Sequence, residues 1–300
     1  MKAVAATLFL LLSICTMSRP VSAAQIEASG IGRGYNELSL GGIFACGHVT
    51  TTRVITCWGD NTFGQTTPPN GVRFSTIASG AAHSCGIKLQ PANIVCWGYS
   101  ADRRDNPPVG LFTQIAVGTF HGCAIRSGTN LVSCWGENFE GQTNAPNERF
   151  SSIVAGQDFS CGIRMSNSTI RCWGANAFGQ TGEVPAGAFR QISARGSFAC
   201  GLRTNLSVVC WGNTDEMRVA NPVGRFVSIA TSMTNACGLT SPDMTISCWG
   251  TFTGGSWTPP EGRFTKLALG GYAACALKST LAGIRTYCWG TTRSVTNPPA

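Results

Sequence analysis

The stretch CWGDNTFGQTTPP, residues 57–69, decides the fold because the chain writes it again and again. Cys-Trp-Gly returns at Cys96, Cys134, Cys172, Cys210, Cys248 and Cys288, at Cys134 and Cys172 with the full Asn-x-x-Gly-Gln continuation. A second cysteine precedes each copy by 10 to 13 residues, and successive couples are 37 to 40 residues apart. This is an internal repeat of about 38 residues present seven times, the signature of a solenoid or propeller.

Each repeat has one anatomy. It opens on an aromatic, Tyr35, Phe74, Phe112, Phe150, Phe189, Phe226 or Phe264, with Leu or Ile three positions later. A small-residue stretch such as ASGAAH leads to the first cysteine, and a variable tip leads to the second. The short apolar runs are bounded by Gly, Asn and Pro and show no helical period, so they read as strands. HSCGIK and NIVCWG form a hairpin in which Cys85 faces Cys96 and Ile87 faces Ile94. Directly opposed antiparallel residues lie about 4.5–5.5 Å apart, inside the usual disulfide range of about 4.4–6.8 Å. The expected pairs are therefore Cys46–Cys57, Cys85–Cys96, Cys123–Cys134, Cys161–Cys172, Cys200–Cys210, Cys237–Cys248 and Cys275–Cys288. Bridges between neighbouring repeats are the alternative. Zinc is disfavoured, since no CxxC spacing occurs and the chain has three histidines.

Strand alternation turns each Trp away from the face that carries its neighbouring Cys. One face of a hairpin is stapled; the other offers a Trp to an adjacent sheet. A lone four-stranded unit cannot bury that face, but seven stacked in a ring can. The expected fold is all-β, a seven-bladed β-propeller over residues 35–300, with an open solenoid as the alternative.

The start of the chain reads differently. Lys2, the apolar run from Ala3 to Thr16 and the small residues Val21-Ser22-Ala23 form a secretory signal over residues 1–24. The run is too short for a membrane span. Residues 25–34 are then an N-terminal segment expected near the tail TTRSVTNPPA, where the ring meets itself. Cys15 is lost with the signal, and fourteen cysteines remain for an oxidising compartment. The formal charge falls from +8 to +6 without Lys2 and Arg19. The cations are scattered with no run of five, so nucleic acid is not indicated. Contact with an acidic cell-surface polymer stays open, beside the plainer reading of a solvated surface.

The composite motif GRF-x-x-I-A-x-G-x-x-H-x-C-G-I … V-x-C-W-G-x-N-x-x-G-Q resembles the repeats of the regulator-of-chromosome-condensation superfamily. Its cysteine-paired form is similar to the extracellular domain of plant CRINKLY4-type receptor-like kinases. WGxNxxGQTTxP is also similar to repeats of a secreted bacterial β-lactamase inhibitor propeller. The resemblance covers residues 35–300 and implies a fold more than a function. No kinase motif is present in this sequence.

No catalytic, cofactor-binding or metal-ligating constellation is legible. His83 and His121 share one repeat position and read as structural. Two sequons, Asn167-Ser168-Thr169 and Asn205-Leu206-Ser207, fall at hairpin tips and are candidate glycosylation sites. The interface candidates are places where the repeat fails: Arg103 and Arg104, and Met217, replace the Gly-Gln corner, and Trp257 lies outside the Cys-Trp-Gly set. The expectation is a secreted, non-enzymatic recognition module for an extracellular protein, peptide or glycan. The alternatives are an inhibitor of a secreted enzyme and a soluble decoy of a receptor-like kinase.

Overall fold

The computed structural model describes residues 35–49, 52–214, 221–251 and 257–299. The signal, the segment 25–34 and Met217 lie outside the described residues. The repeats form seven antiparallel sheets of three strands each, paired in chain order. In the second, Phe74–Ser79 pairs with His83–Lys88, which pairs with Ile94–Gly98. Cys85 faces Cys96 and Ile87 faces Ile94, as the hairpin reading requires.

All seven disulfides are within their own blade. The bridged Cα atoms are 4.0–4.1 Å apart. That is closer than the sequence-based expectation and matches the narrow, non-hydrogen-bonded type of opposed pair.

Among the described residues each blade has three ladder strands, not four. After Trp-Gly the chain spends its polar groups on itself. In blade 1, Gly64 N–H donates to Asn61 and Thr67 N–H donates to Gly64. The Asn61 side chain accepts from Thr66 N–H. Groups bonded inside a tight turn are not free for a ladder.

The blades meet as the alternation predicts. Trp97 of blade 2 packs among Phe44, Cys46 and Cys57 of blade 1. Trp135 lies on Cys85 of blade 2, Trp173 on Cys123 of blade 3, and Trp211 on Cys161 of blade 4. Trp249 and Trp289 continue the series on Cys200 and Cys237. Trp58 of blade 1 then lies on Cys275 and Cys288 of blade 7. Every interface is thus one blade's Trp face against the previous blade's disulfide face, including the interface between last and first. The first strands of neighbouring blades lie side by side, the first and seventh among them, and line the axis.

Trp58 has a further role at this junction. Its indole N–H donates to the carbonyl of Val295, 2.8 Å away. Val295 belongs to the short helical turn Arg293–Thr296, so the tail docks directly on the first blade.

The glycine of Cys-Trp-Gly is a steric requirement. Gly98 has φ +101°, and a Cβ there would sit 2.7 Å from the Ala82 oxygen and 2.9 Å from His83 Cα. Only glycine combines this conformation with that approach.

Candidate functional site

The register gives the propeller two faces. Middle strands run from an end beside the post-Trp corners to an end at the hairpin tips; His83 pairs with Gly98 at the first and Lys88 begins the tip at the second. We call these the corner face and the tip face.

The corner face is built from Asn-x-x-Gly-Gln turns. The Gln65 side-chain oxygen accepts from Phe63 N–H, while its carbonyl accepts the Trp97 indole N–H at 3.0 Å. Gln142 and Gln180 do the same for Trp173 and Trp211 at 3.0 and 3.1 Å. The glutamine locks the turn so that its own backbone oxygen meets the next blade's tryptophan. The motif is therefore an inter-blade joint.

Arg104 shows what happens when the glutamine is absent. Its carbonyl accepts the Trp135 indole N–H at 2.9 Å, the joint's usual bond. Its guanidinium is held between the Tyr99 and Phe120 rings, 4.7 and 4.8 Å from their centroids. It also donates to the Ala101 carbonyl and to Asp102. At 2% exposed it is a structural substitute and not a free interface cation. Arg103, beside it, is exposed. Trp257 is 7% exposed and packs with Phe264 and Trp289 between blades 6 and 7. The sequence-based interface reading of Arg104 and Trp257 is corrected accordingly: burial removes both from the surface.

What the corner face does expose is aromatic. Phe139 is 88% exposed, Phe63 49%, Tyr272 44% and Phe178 43%. Phe63 leans edge-on against Tyr99 with centroids 4.8 Å apart. Carboxylates surround them: Asp60, Glu137, Glu140, Asp158 and Glu183 belong to the same corners and adjoining turns. Burial, and then the nearby Asp158 and Asp102, raise the Glu137 pKa. Burial and the neighbouring Glu140 raise that of Asp158. The aromatics were missed because they sit inside the repeat motif. An apolar residue in a turn that should be polar was the available signal.

The histidines are core residues. His83 and His121 occupy the position held by Phe44, Phe159 and Phe198 in other blades, and all five are fully buried. Burial pushes the pKa of His83 down to about 3, helped by Arg104, and that of His121 down to about 4. His121 Nε2 lies 2.8 Å from the Ser160 hydroxyl, which donates on to the Gln142 carbonyl. Among the described residues, no group of three His, Cys, Asp or Glu side chains could hold a metal ion.

Near the corner face a space of only about 10 Å³ remains between Gly80, Gly118, Gly156 and Arg195. Five blades place Gly after the first strand, at Gly41, Gly80, Gly118, Gly156 and Gly270; blade 5 places Arg195. Its guanidinium reaches across the ring to the carbonyls of Leu40, 2.8 Å away, and Gly80, 3.5 Å away. Burial lowers its pKa to about 10. It fills the bore that the glycines leave open.

At the opposite end, Asn167 and Asn205 are exposed at the tips of blades 4 and 5. The Asn167 Oδ1 accepts from Thr169 N–H and hydroxyl, and Asn205 Oδ1 accepts likewise from Ser207.

Residues 112–142 and 150–180, in blades 3 and 4, match the Regulator of chromosome condensation (RCC1) repeat. No curated protein matches the sequence. Among solved structures, the chain is similar to the entire ectodomain of the Physcomitrella patens receptor kinase CR4, at 27% identity and TM-score 0.76 over 86% of this chain and 74% of that one. It is similar to the CRINKLY WD40 ectodomain of the Arabidopsis thaliana receptor kinase ACR4, at 24% identity and TM-score 0.77 over 89% and 100%. Prp20p of Saccharomyces cerevisiae shares the fold, at 15% identity and TM-score 0.64 over 85% and 82%. The chain thus carries RCC1-like repeats in a disulfide-stapled propeller resembling receptor-kinase ectodomains, a likeness that supports a non-enzymatic binding module.

Proposed function

We propose that the chain is a secreted, non-enzymatic recognition module whose corner face binds an extracellular protein or peptide. The observation that carries this reading is the exposure of Phe63, Phe139, Phe178 and Tyr272 together on that face. Exposed aromatics ringed by charge are typical interface anchors. The surrounding carboxylates favour a basic partner segment. Arg103, exposed beside the blade 2 corner, is retained as a candidate contact, and Met217 is retained on its sequence position alone. The disulfides suit an extracellular compartment, and the N-terminal signal reading supports secretion. N-glycosylation at Asn167 and Asn205 would sit on the tip face and leave the corner face clear.

The test is quantitative capture of extracellular proteins by wild type and by a Phe63→Ser, Phe139→Ser, Phe178→Ser form. Exposed phenylalanines are removed, so the fold stays and specific capture falls at least tenfold, as expected when hot spots worth about 2 kcal/mol each are lost. Unchanged capture by a correctly folded triple variant rejects the corner face as the binding site.

A further inference from the structure

We propose that the tip face is a second, independent docking surface for an acidic polysaccharide bearing carboxylate or sulfate groups. The polymer would lie along the arc formed by blades 6, 7, 1 and 2. This surface lies at the end of the strands away from the exposed aromatics and does not depend on what the corner face binds.

Two repeat positions carry the argument. The residue three after the first cysteine is Lys88, Arg126, Arg164, Arg203 or Lys278 in five blades; it ends the middle strand in the first four, while in blade 7 the strand runs on to Thr280. The residue just before the opening aromatic is Arg73, Arg149, Arg225 or Arg263 in four. Backbone bonds bring the two positions together. Leu89 N–H donates to the Arg73 carbonyl, Met165 N–H to that of Arg149, and Ser241 N–H to that of Arg225. In blades 2, 4 and 6 the blade boundary is thereby laid against its own hairpin tip.

The result in blade 2 is a cleft of about 370 Å³ between Gly71–Arg73 and Lys88–Gln90. Neither Arg73 nor Lys88 makes an ion pair among the described residues. Blade 4 forms the same cleft, with Arg149 and Arg164 on its walls. There Glu148 pairs with Arg164 and leaves Arg149 unpaired. A subsite that recurs by the symmetry of the repeat suits a polymer with recurring charge.

The arc is favoured for two reasons. Arg225, Arg263, Arg53 and Arg73 are all exposed along it, with Lys88 and Lys278 partly so. Asp243 and Glu261 are its exposed carboxylates among the described residues. The two sequons lie elsewhere, on blades 4 and 5. The corner face carries the opposite sign, with Asp60, Glu137, Glu140, Asp158 and Glu183, so an anionic chain is steered to one end of the molecule. Arginine predominates on the arc, and its planar fork suits carboxylate and sulfate. The cations are spread around a rim and not gathered in a pocket, which fits an extended polymer better than a small anion.

The experiment uses the oxidised full-length mature chain and four labelled probes: a soluble polyuronate, dextran sulfate, neutral dextran and a DNA duplex. Binding of the polyuronate, of dextran sulfate or of both is expected, and which of them binds separates carboxylate from sulfate as the source of charge. Affinity should fall steeply between 50 and 200 mM salt, as counterion release requires. The variant R73S/K88S/R225S/R263S should bind at least tenfold more weakly, the product of four exposed ion pairs each worth a factor of about two to five. The Phe63, Phe139, Phe178 triple variant should bind as wild type, which separates failure here from failure of the corner-face reading. Binding of neither acidic polysaccharide, equal binding of neutral dextran, an undiminished quadruple variant, or a DNA duplex that outcompetes both at equal charge each overturns the proposal. The salt dependence is read on wild type, so it stands even if the quadruple variant folds poorly.

Discussion

Replacing His83 and His121 with phenylalanine should make this propeller markedly more tolerant of acid. Both imidazoles are fully buried, with pKa values near 3 and near 4 because burial disfavours the charged ring. An unfolded histidine titrates near 6.5. The folded pKa is the lower one, so the stabilisation is fully present above pH 6.5. It is lost as the pH falls toward the folded values, while the unfolded chain alone gains protons. Between pH 7.5 and 4.5 the loss is about 2–3 kcal/mol for each histidine, or roughly 5 kcal/mol for the pair, at 1.36 kcal/mol per unit. That is comparable to the whole stability of many domains. Phenylalanine should fit, because Phe44 and Phe159 occupy the same position, each ring pressed against a glycine, Gly41 and Gly156. His83 and His121 meet Gly80 and Gly118 in the same way. The assay is urea unfolding of wild type and the double variant at half-unit steps from pH 7.5 to 4.5. Glu37, whose pKa is raised mainly by burial, and His48, lowered mainly by burial, titrate in both proteins and cancel in the difference. Parallel stability curves for the two proteins would refute the argument, since they would mean that the rings are protonated in the native state or have no part in acid unfolding.

Two further outcomes follow from the inter-blade joints. Trp58→Ala removes the indole bonded to Val295 and packed on the blade 7 disulfide; about 3–5 kcal/mol of stability should be lost in urea unfolding, and a loss under about 1 kcal/mol would show that the last and first blades are not held by this contact. Arg104→Gln restores the residue found at Gln65, Gln142 and Gln180 and should be tolerated within about 1 kcal/mol, whereas Arg104→Ala empties the space between Tyr99 and Phe120 and should cost more, about 2–3 kcal/mol; equal melting of the two variants would deny the joint its role.

Much of this architecture was legible without coordinates. The period of about 38 residues, the cysteine spacing and strand alternation together imply seven stapled hairpins with a tryptophan on the opposite face. Those are properties of near neighbours in the chain, and near neighbours are constrained by backbone geometry alone. Cys85 faces Cys96 because eleven residues fold into one hairpin. The candidate site was harder to read. Arg104 and Trp257 look anomalous in the sequence and are buried in the fold, because a broken motif can be repaired by packing as readily as exposed for binding. Phe63, Phe139 and Phe178 look regular and are exposed.

The distribution of charge shows the division most clearly. Along the chain, Arg73 and Lys88 are separated by the two strands of a hairpin arm, and Arg225 and Arg263 by a whole blade, so the cations appear scattered. A backbone bond from Leu89 to Arg73 folds a blade boundary against its tip, and the ring repeats that placement around one rim. The sequence alone determined which residues recur, and recurrence determined the blade. Which recurring residues share a face is decided by contacts between segments far apart in the chain, and these exist only once the blades have packed around the axis.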